Sequence, residues 1–408
     1  MRTYFIIVGS LILIFYCFGC RNSKEVVYED SQFKKTIMVD SLLDHYVSKY
    51  RVFINYFDDT TLFPRCYEKG ELITTSSSEW TSGFFPGILW NLYLYSQEGE
   101  FYNAAVKWTN SLLPECENTS THDIGFIVNS SFGAGYEISY NEYYKDVMLK
   151  AARSLASRYN SGLGCIKSLD DFENFKYPVL IDNLVNLEIL FKAWKWTEDD
   201  QYYKIAYSHA LTTMENHLRK NFSVYQLVDY DPIKRTPVYR GTFQGYSENS
   251  TWSRGQAWGL YGYSMIFRET KDRIFLDQAE RLANFIINDP YVKINYIPFW
   301  DMDTPQIPDE LKDASAAAIL ASALIELSTF QETSNAEKYF RIGENIIKTL
   351  GSKDYRSGLN ENSFFIVKHC VGNYPGKLEV DVPLIYADYY LLEALLRYNT
   401  AAKIRYDE

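Results

Sequence analysis

The stretch Leu180-Ile181-Asp182-Asn183-Leu184-Val185-Asn186-Leu187-Glu188-Ile189-Leu190-Phe191-Lys192-Ala193-Trp194-Lys195-Trp196 decides how the rest of the chain is read. Leu184, Leu187, Phe191 and Trp194 recur at alternating spacings of three and four, the period of a helix that buries one face. Asp182 stands just ahead of the first of them, where an ionised carboxylate caps a helix and suits its positive end. Taken alone, this Asp reads as a cap.

The same unit, an apolar-aromatic segment with helical period followed by a short polar or Gly/Pro break, recurs along the chain. Helices are predicted near 35–56 and over 83–96, 101–113, 143–157, 180–196, 202–218, 252–267, 275–287, 314–327, 336–350 and 382–398, with a short one near 130–138. Strand signals are local, near 223–228 and 291–299. About a dozen helices in succession with no alternating strands predict an all-α toroid of helix hairpins, with an irregular bundle as the alternative. In a toroid the inner helices offer their amino-terminal ends to a central cleft, so chemistry is sought just before helix starts.

Composition narrows the function. The 408 residues carry 41 Lys and Arg against 52 Asp and Glu, a net charge of −11 without a basic block, which argues against nucleic acid or an anionic membrane surface as partner. The chain holds 35 Tyr, 25 Phe and 8 Trp, and aromatic faces suit sugar rings as well as helical cores. At the amino terminus, Arg2 precedes an apolar run, Tyr4 to Phe15, that ends in Cys17-Phe18-Gly19-Cys20. A segment this short is an export signal and not a membrane span, and Gly19-Cys20 resembles the site at which bacterial lipoproteins are cut and lipidated. Residues 1–20 are therefore expected as a lipoprotein-type signal, 21–30 as a polar tether and 31–408 as one catalytic domain. The chain is then exported and held to a cell-envelope membrane only through lipid on Cys20. Cys66, Cys116, Cys165 and Cys370 are widely spaced, without zinc-ligand spacing, so neither a metal nor a cofactor is expected.

Five segments are rich in polar and aromatic groups for plain helix ends. They are 80–87 (Trp80-Thr81-Ser82-Gly83-Phe84-Phe85-Pro86-Gly87), 122–126 (His122-Asp123-Ile124-Gly125-Phe126), 181–184, Gln244-Gly245-Tyr246, and 252–259 (Trp252-Ser253-Arg254-Gly255-Gln256-Ala257-Trp258-Gly259). Asp123 alone is a turn former, and Arg254 reads either as a guanidinium stacked between aromatic faces or as a carboxylate clamp. Two carboxylates in one cleft split their pKa values, one acid and one base, as acid-assisted sugar chemistry needs. His209 and His217 fall on one helix and read as structural, and His45 reads as surface.

In order, these segments resemble the unsaturated glucuronyl hydrolases of glycoside hydrolase family 88. The likeness also takes in Asp182 to Glu188, Val228-Asp229-Tyr230-Asp231-Pro232, Lys312-Asp313-Ala314-Ser315 and Tyr386-Ala387-Asp388-Tyr389-Tyr390. It implies an (α/α)6 barrel and an oligosaccharide substrate ending in a 4,5-unsaturated uronic acid. It further implies that Asp182 protonates C4 and helps activate water for C5, while Asp123 holds the ring hydroxyls and tunes Asp182. Trp80 and Trp258 would wall the sugar, with His122, Gln244 and Arg254 lining the site. Arg254 as partner of the uronate carboxylate is a reading from charge. Gln226 stands where the family commonly has a His, which leaves hydrogen bonding without ionisation. Lys377 lies in a loop that in relatives can contact substituents of the next sugar.

The alternatives are an unsaturated rhamnogalacturonyl hydrolase acting on pectin fragments, a sugar isomerase or epimerase, and a glycan-binding lipoprotein without catalysis. Five His leave few for the isomerase. Replacing Cys20 by Ala is expected to abolish labelling of the chain by radioactive fatty acid in growing cells. Labelling that persists removes the lipoprotein reading.

Overall fold

Burial sorts the helices into two kinds. Residues 273–287 and 336–350 bury one stripe each, whereas 253–267 and 314–327 are buried on every side. A helix that is buried all round belongs to the interior, and one with a single apolar stripe covers it. The computed structural model describes residues 23–406 except 171, 331, 360, 362 and 363, with side chains between 38 and 405. The expected signal and Cys20 lie outside the described residues.

In chain order, α1 (Ser23–Tyr56) is followed by the hairpin β1 (Phe63–Glu68) and β2 (Glu71–Thr75), then α2 (Phe84–Ser96) and α3 (Gly99–Asn110). A π-helix (Gly125–Gly133) continues into α4 (Ala134–Ser139), followed by α5 (Glu142–Ala156), β3 (Tyr159–Asn160), β4 (Cys165–Ile166) and β5 (Pro178–Leu180). Next come α6 (Asn183–Asn186), α7 (Glu188–Thr197), α8 (Asp200–His217), β6 (Leu227–Asp231) and β7 (Thr236–Gly241). The chain closes with α9 (Ser253–Thr270), α10 (Arg273–Ile287), α11 (Pro290–Asn295), α12 (Ala314–Leu327), α13 (Ala336–Leu350), β8 (Cys370–Asn373), β9 (Leu378–Val382) and α14 (Ile385–Tyr406).

The fold is mostly helical. α2 packs on the π-helix, the π-helix on α6 and α7, these on α9, α9 on α12, α12 on α14, and α14 back on α2. Each inner segment is backed by a neighbour in sequence: α3 behind α2, α5 behind the π-helix, α8 behind α7, α10 behind α9 and α13 behind α12, with α1 against α14. Contacts such as Trp80 on Tyr386 and Arg254 on Asp313 gather the inner starts at one end. The other ends are tied by ion pairs: Lys192 to Glu137 and Glu188, Arg268 to Glu188 and Glu326, and Arg397 to Glu326 and Glu393. A cavity of about 650 Å³ opens among these charges.

Several expectations change. The 180–196 segment is not one helix: β5 ends at Leu180 and the helical part is interrupted at Leu187. Residues 291–295 form α11 and not a strand, because Asp289 accepts the backbone N–H groups of Tyr291 and Val292 and Pro290 opens the helix. The strand expected over 223–228 lies at 227–231, between β5 and β7. α1 begins at Ser23, so helix reaches into the expected tether. His45 is buried, and burial together with Arg356 lowers its pKa to about 4. The four cysteines of the described region are free and buried. No helix among the described residues is long and apolar enough to cross a membrane.

Arg268 bridges α9 to α7 and α12, so Arg268→Met leaves Glu188 and Glu326 each short of a partner. The expected loss is about 2–3 kcal/mol, less than for a fully buried pair because the arginine side chain is 30% exposed. Urea denaturation of the two proteins side by side measures it.

Candidate active site

Several helix starts are capped in one way. Asn141, Asp199, Asp272 and Asp313 each accept a hydrogen bond from the backbone N–H two residues on. Asp182, at the start of α6, makes no such bond. The capping role expected from sequence is therefore not the one its side chain plays. Its Oδ1 is buried without a hydrogen bond and lies 3.7 Å from His122 Nε2.

The approach of these residues has a local cause. Ile181 N donates to the Gln226 carbonyl at 2.9 Å, which extends the β5–β6 pairing to the residue before Asp182. On the facing segment, Thr121 bridges to Leu169, and Asp123 N donates to Thr121 Oγ1 at 3.1 Å. The two segments meet where Phe126 N donates to Asn186 Oδ1 at 2.7 Å. Gly125 permits this contact, since a Cβ there would sit 2.5 Å from the Asn186 Cα.

His122 is 1% exposed and stands between the two carboxylates, with Nε2 3.4 Å from Asp123 Oδ1. Its Nδ1–H donates to the Ser168 carbonyl at 2.9 Å, which fixes the ring and turns Nε2 toward the acids. Burial works against a charged ring here, but the Asp123 and Asp182 carboxylates outweigh it and raise its pKa. Burial also pushes Asp123 up to about 6; the His122 ring opposes that shift and the Asp182 charge adds to it. Side chains this close share protons, so His122 and Asp123 titrate together.

The remaining predicted residues divide. Trp80 is half-buried at the helix starts, packed on Tyr386 at 4.9 Å and on Phe126 at 5.6 Å. Trp258, expected to wall the sugar, is 2% exposed and packs between Phe126 and Tyr390, so it supports the site from below. Arg254 is also corrected: it is 2% exposed, its charge is matched by Asp313 at 2.8 Å, and it donates to the carbonyls of Val371 and Gly372. Its guanidinium lies 4.6 Å from the Trp252 ring, so the stacked, structural reading of Arg254 describes it and the free carboxylate clamp does not.

Gln226 spends its carbonyl oxygen on the backbone N–H groups of Phe243 and Gln244, and its amide donates to Gln244 Oε1 at 2.6 Å. Gln244 in turn donates to the Gly372 carbonyl at 3.1 Å. The two glutamines thus join the β6 edge to the β8–β9 hairpin. Lys377 sits exposed at the turn of that hairpin, and its ammonium has no ion pair among the described residues.

Sequence reading passed over Ser168 and Asn186, which orient His122 and join the two segments. Ser168 carries no signal of its own, and Asn186 lay unremarked inside the 182–188 motif. The Arg65 link to Glu79 and Glu379, which fastens the hairpin beside Trp80, was also missed.

Asp123 gives a pH test. Its folded pKa lies above the value of a free carboxyl, so between about pH 4 and 6 the folded chain holds a proton that the unfolded chain has lost. Stability from this group is therefore present near pH 4 and lost as the pH rises through about 6. Relative to Asp123→Asn, the wild type is expected to lose stability across that window. Urea midpoints at pH 4, 5 and 6 compare the two proteins, and equal slopes would refute the shift.

No family model matches the chain. Curated and solved relatives do. An unsaturated glucuronyl hydrolase of Formosa agariphila is 39% identical over 354 residues, 86% of this chain and 88% of the relative. The crystal structure of an unsaturated glucuronyl hydrolase specific for heparin superposes with a TM-score of 0.85 at 39% identity, covering 91% of this chain and 98% of that one. A variant of the Streptococcus agalactiae unsaturated glucuronyl hydrolase, complexed with dGlcA-GalNAc6S, gives a TM-score of 0.76 at 26% identity over 89% of this chain and 92% of that one. At such identity and coverage, with paired acids at facing helix starts, this chain belongs to the unsaturated glucuronyl hydrolase family.

Proposed function

We propose that the chain removes a 4,5-unsaturated glucuronic acid from the non-reducing end of lyase-generated glycosaminoglycan oligosaccharides by hydrating the C4=C5 vinyl ether. The observation that carries this reading is the Asp182 carboxyl, turned away from its helix toward His122 and Asp123. Relatives specific for heparin or complexed with dGlcA-GalNAc6S support the substrate class.

In the proposed step, Asp182 delivers its proton to C4, and the positive charge develops at C5, where the ring oxygen stabilises it. The Asp182 carboxylate then takes a proton from the water that bonds to C5. The hemiketal opens to a ketone at C5, and the hemiacetal left at C1 expels the next sugar. Asp123 and His122 keep a proton within the cluster, and Asp123 binds ring hydroxyls. Trp80 offers an aromatic face to the ring, while Gln244, held by Gln226, shapes the wall. Lys377 meets an anionic substituent on the following sugar.

The ring of backed helices is read as the (α/α)6 barrel, supported by the closure of contacts from α14 to α2. Residues 31–408 form its single domain. Export and lipidation at Cys20 rest on the Arg2, apolar-run and Gly19-Cys20 pattern alone.

The experiment follows loss of the alkene's ultraviolet absorbance with unsaturated disaccharides from heparin, chondroitin and pectin digests. Turnover is expected on at least one glycosaminoglycan product, and Asp182→Asn should lower kcat about 10²–10⁴-fold. Turnover confined to the pectin product would replace the substrate reading, and normal turnover by Asp182→Asn would remove Asp182 from the chemistry.

A further inference from the structure

The cluster that is read as a proton donor also has the geometry of a metal site. We propose that His122, Asp123 and Asp182 bind a zinc-type divalent transition-metal ion, and that this ion shuts the site against substrate.

Three observations carry the proposal. The first is spacing. The imidazole nitrogen and one oxygen from each carboxylate all lie within 4.8 Å of one another. His122 Nε2 is 3.4 Å from Asp123 Oδ1 and 3.7 Å from Asp182 Oδ1. Tetrahedral zinc with bonds of about 2.0–2.1 Å holds its ligand atoms roughly 3.3–3.4 Å from each other, close to the two distances from His122 to the acids.

The second observation is that donor atoms are waiting. His122 Nε2 and Asp182 Oδ1 are buried and make no hydrogen bond, although His122 is only 1% exposed. A buried nitrogen aimed at two acids without a bonded partner has an unmet demand, which a proton or a metal ion can satisfy. The third is the support around the ring. The Nδ1–H bond to the Ser168 carbonyl leaves Nε2 as the ring atom that faces the acids, the outer support that metal-binding histidines usually have.

The ligand set selects the metal. One imidazole and two carboxylates suit zinc and its neighbours, whereas magnesium and calcium want six or more oxygens. Three protein ligands leave a fourth position open, as at catalytic zinc sites. Here, however, the metal would occupy the acid that must give up a proton, so binding inhibits. No sequence motif announced the site, because His122 and Asp182 come from distant segments.

The test uses the full chain, freed of metal with a chelator, and zinc chloride as the probe. Calorimetry should show one high-affinity zinc per chain and no comparable binding of magnesium. His122→Gln and Asp182→Asn should each weaken zinc at least tenfold while circular dichroism stays that of the wild type. His369→Gln, which removes the exposed His369–Asp381 pair, should leave zinc binding unchanged and controls for the other His-acid contact. With an unsaturated disaccharide, zinc should raise KM, leave kcat unaltered, and be reversed by chelator. Absence of one-to-one binding, binding indifferent to His122→Gln, or binding lost with His369→Gln overturns the proposal. Calorimetry needs no turnover, so it decides the metal site even if the substrate assignment fails.

Discussion

The geometry at the helix starts depends on one close contact, between the first turn of the π-helix and the short helix α6. Phe126 N reaches Asn186 Oδ1 only because residue 125 has no side chain to hold the segments apart. Through this contact, carboxylates that stand far apart in sequence come to share one imidazole. Any substituent at 125 would widen the gap at the point where separations of 3.4 and 3.7 Å matter. The π-helical form of 125–133 fits the same constraint, since a π-bulge shifts side chains around a helix without ending it, and such bulges gather at functional sites.

Around that contact, buried polar groups hold the walls. Arg254 ties the start of α9 to Asp313 at the start of α12 and to the β8–β9 hairpin. Asp388, pushed up to about 7 chiefly by burial, accepts from Ile366 N, Val367 N and the Tyr50 hydroxyl, joining α14 to the 366–367 segment and to α1. These groups touch neither of the paired acids. What they supply is fixed placement of loops that would otherwise drift, and an active site needs its groups held to a fraction of an ångström.

The sequence disclosed the helices and the gathering of chemistry at helix starts, while the pairing of Asp123 with Asp182 was implied only by the family resemblance. These are legible because helical period and short ordered motifs are local. Whether a side chain faces solvent or core is decided by partners distant in the chain. Arg254 looked like a free cation because Asp313, 59 residues away, could not be seen to neutralise it. Trp258 looked like a sugar platform because nothing nearby in sequence places Phe126 over it. Asp182 looked like a cap because caps are the commonest use of an Asp at a helix start, and only the fold turns it elsewhere. The β-hairpins were missed for a local reason: β1–β2 and β8–β9 lack the Asn-Gly and Asp-Gly turns that mark such pairs.

The β8–β9 hairpin has a backbone that glycine would suit. His369, Lys377, Glu379 and Asp381 all take left-handed φ values, between 55° and 61°, which disfavour residues with a Cβ by about 1 kcal/mol or more each. Glycine at any of these positions would relax the chain, yet each carries a long or charged side chain. Glu379 anchors to Arg65, Asp381 pairs with His369, and Lys377 projects outward. The hairpin thus trades conformational comfort for chemical reach. Sequence drift toward glycine in this loop would leave the helices intact and change only what the rim of the site can grasp.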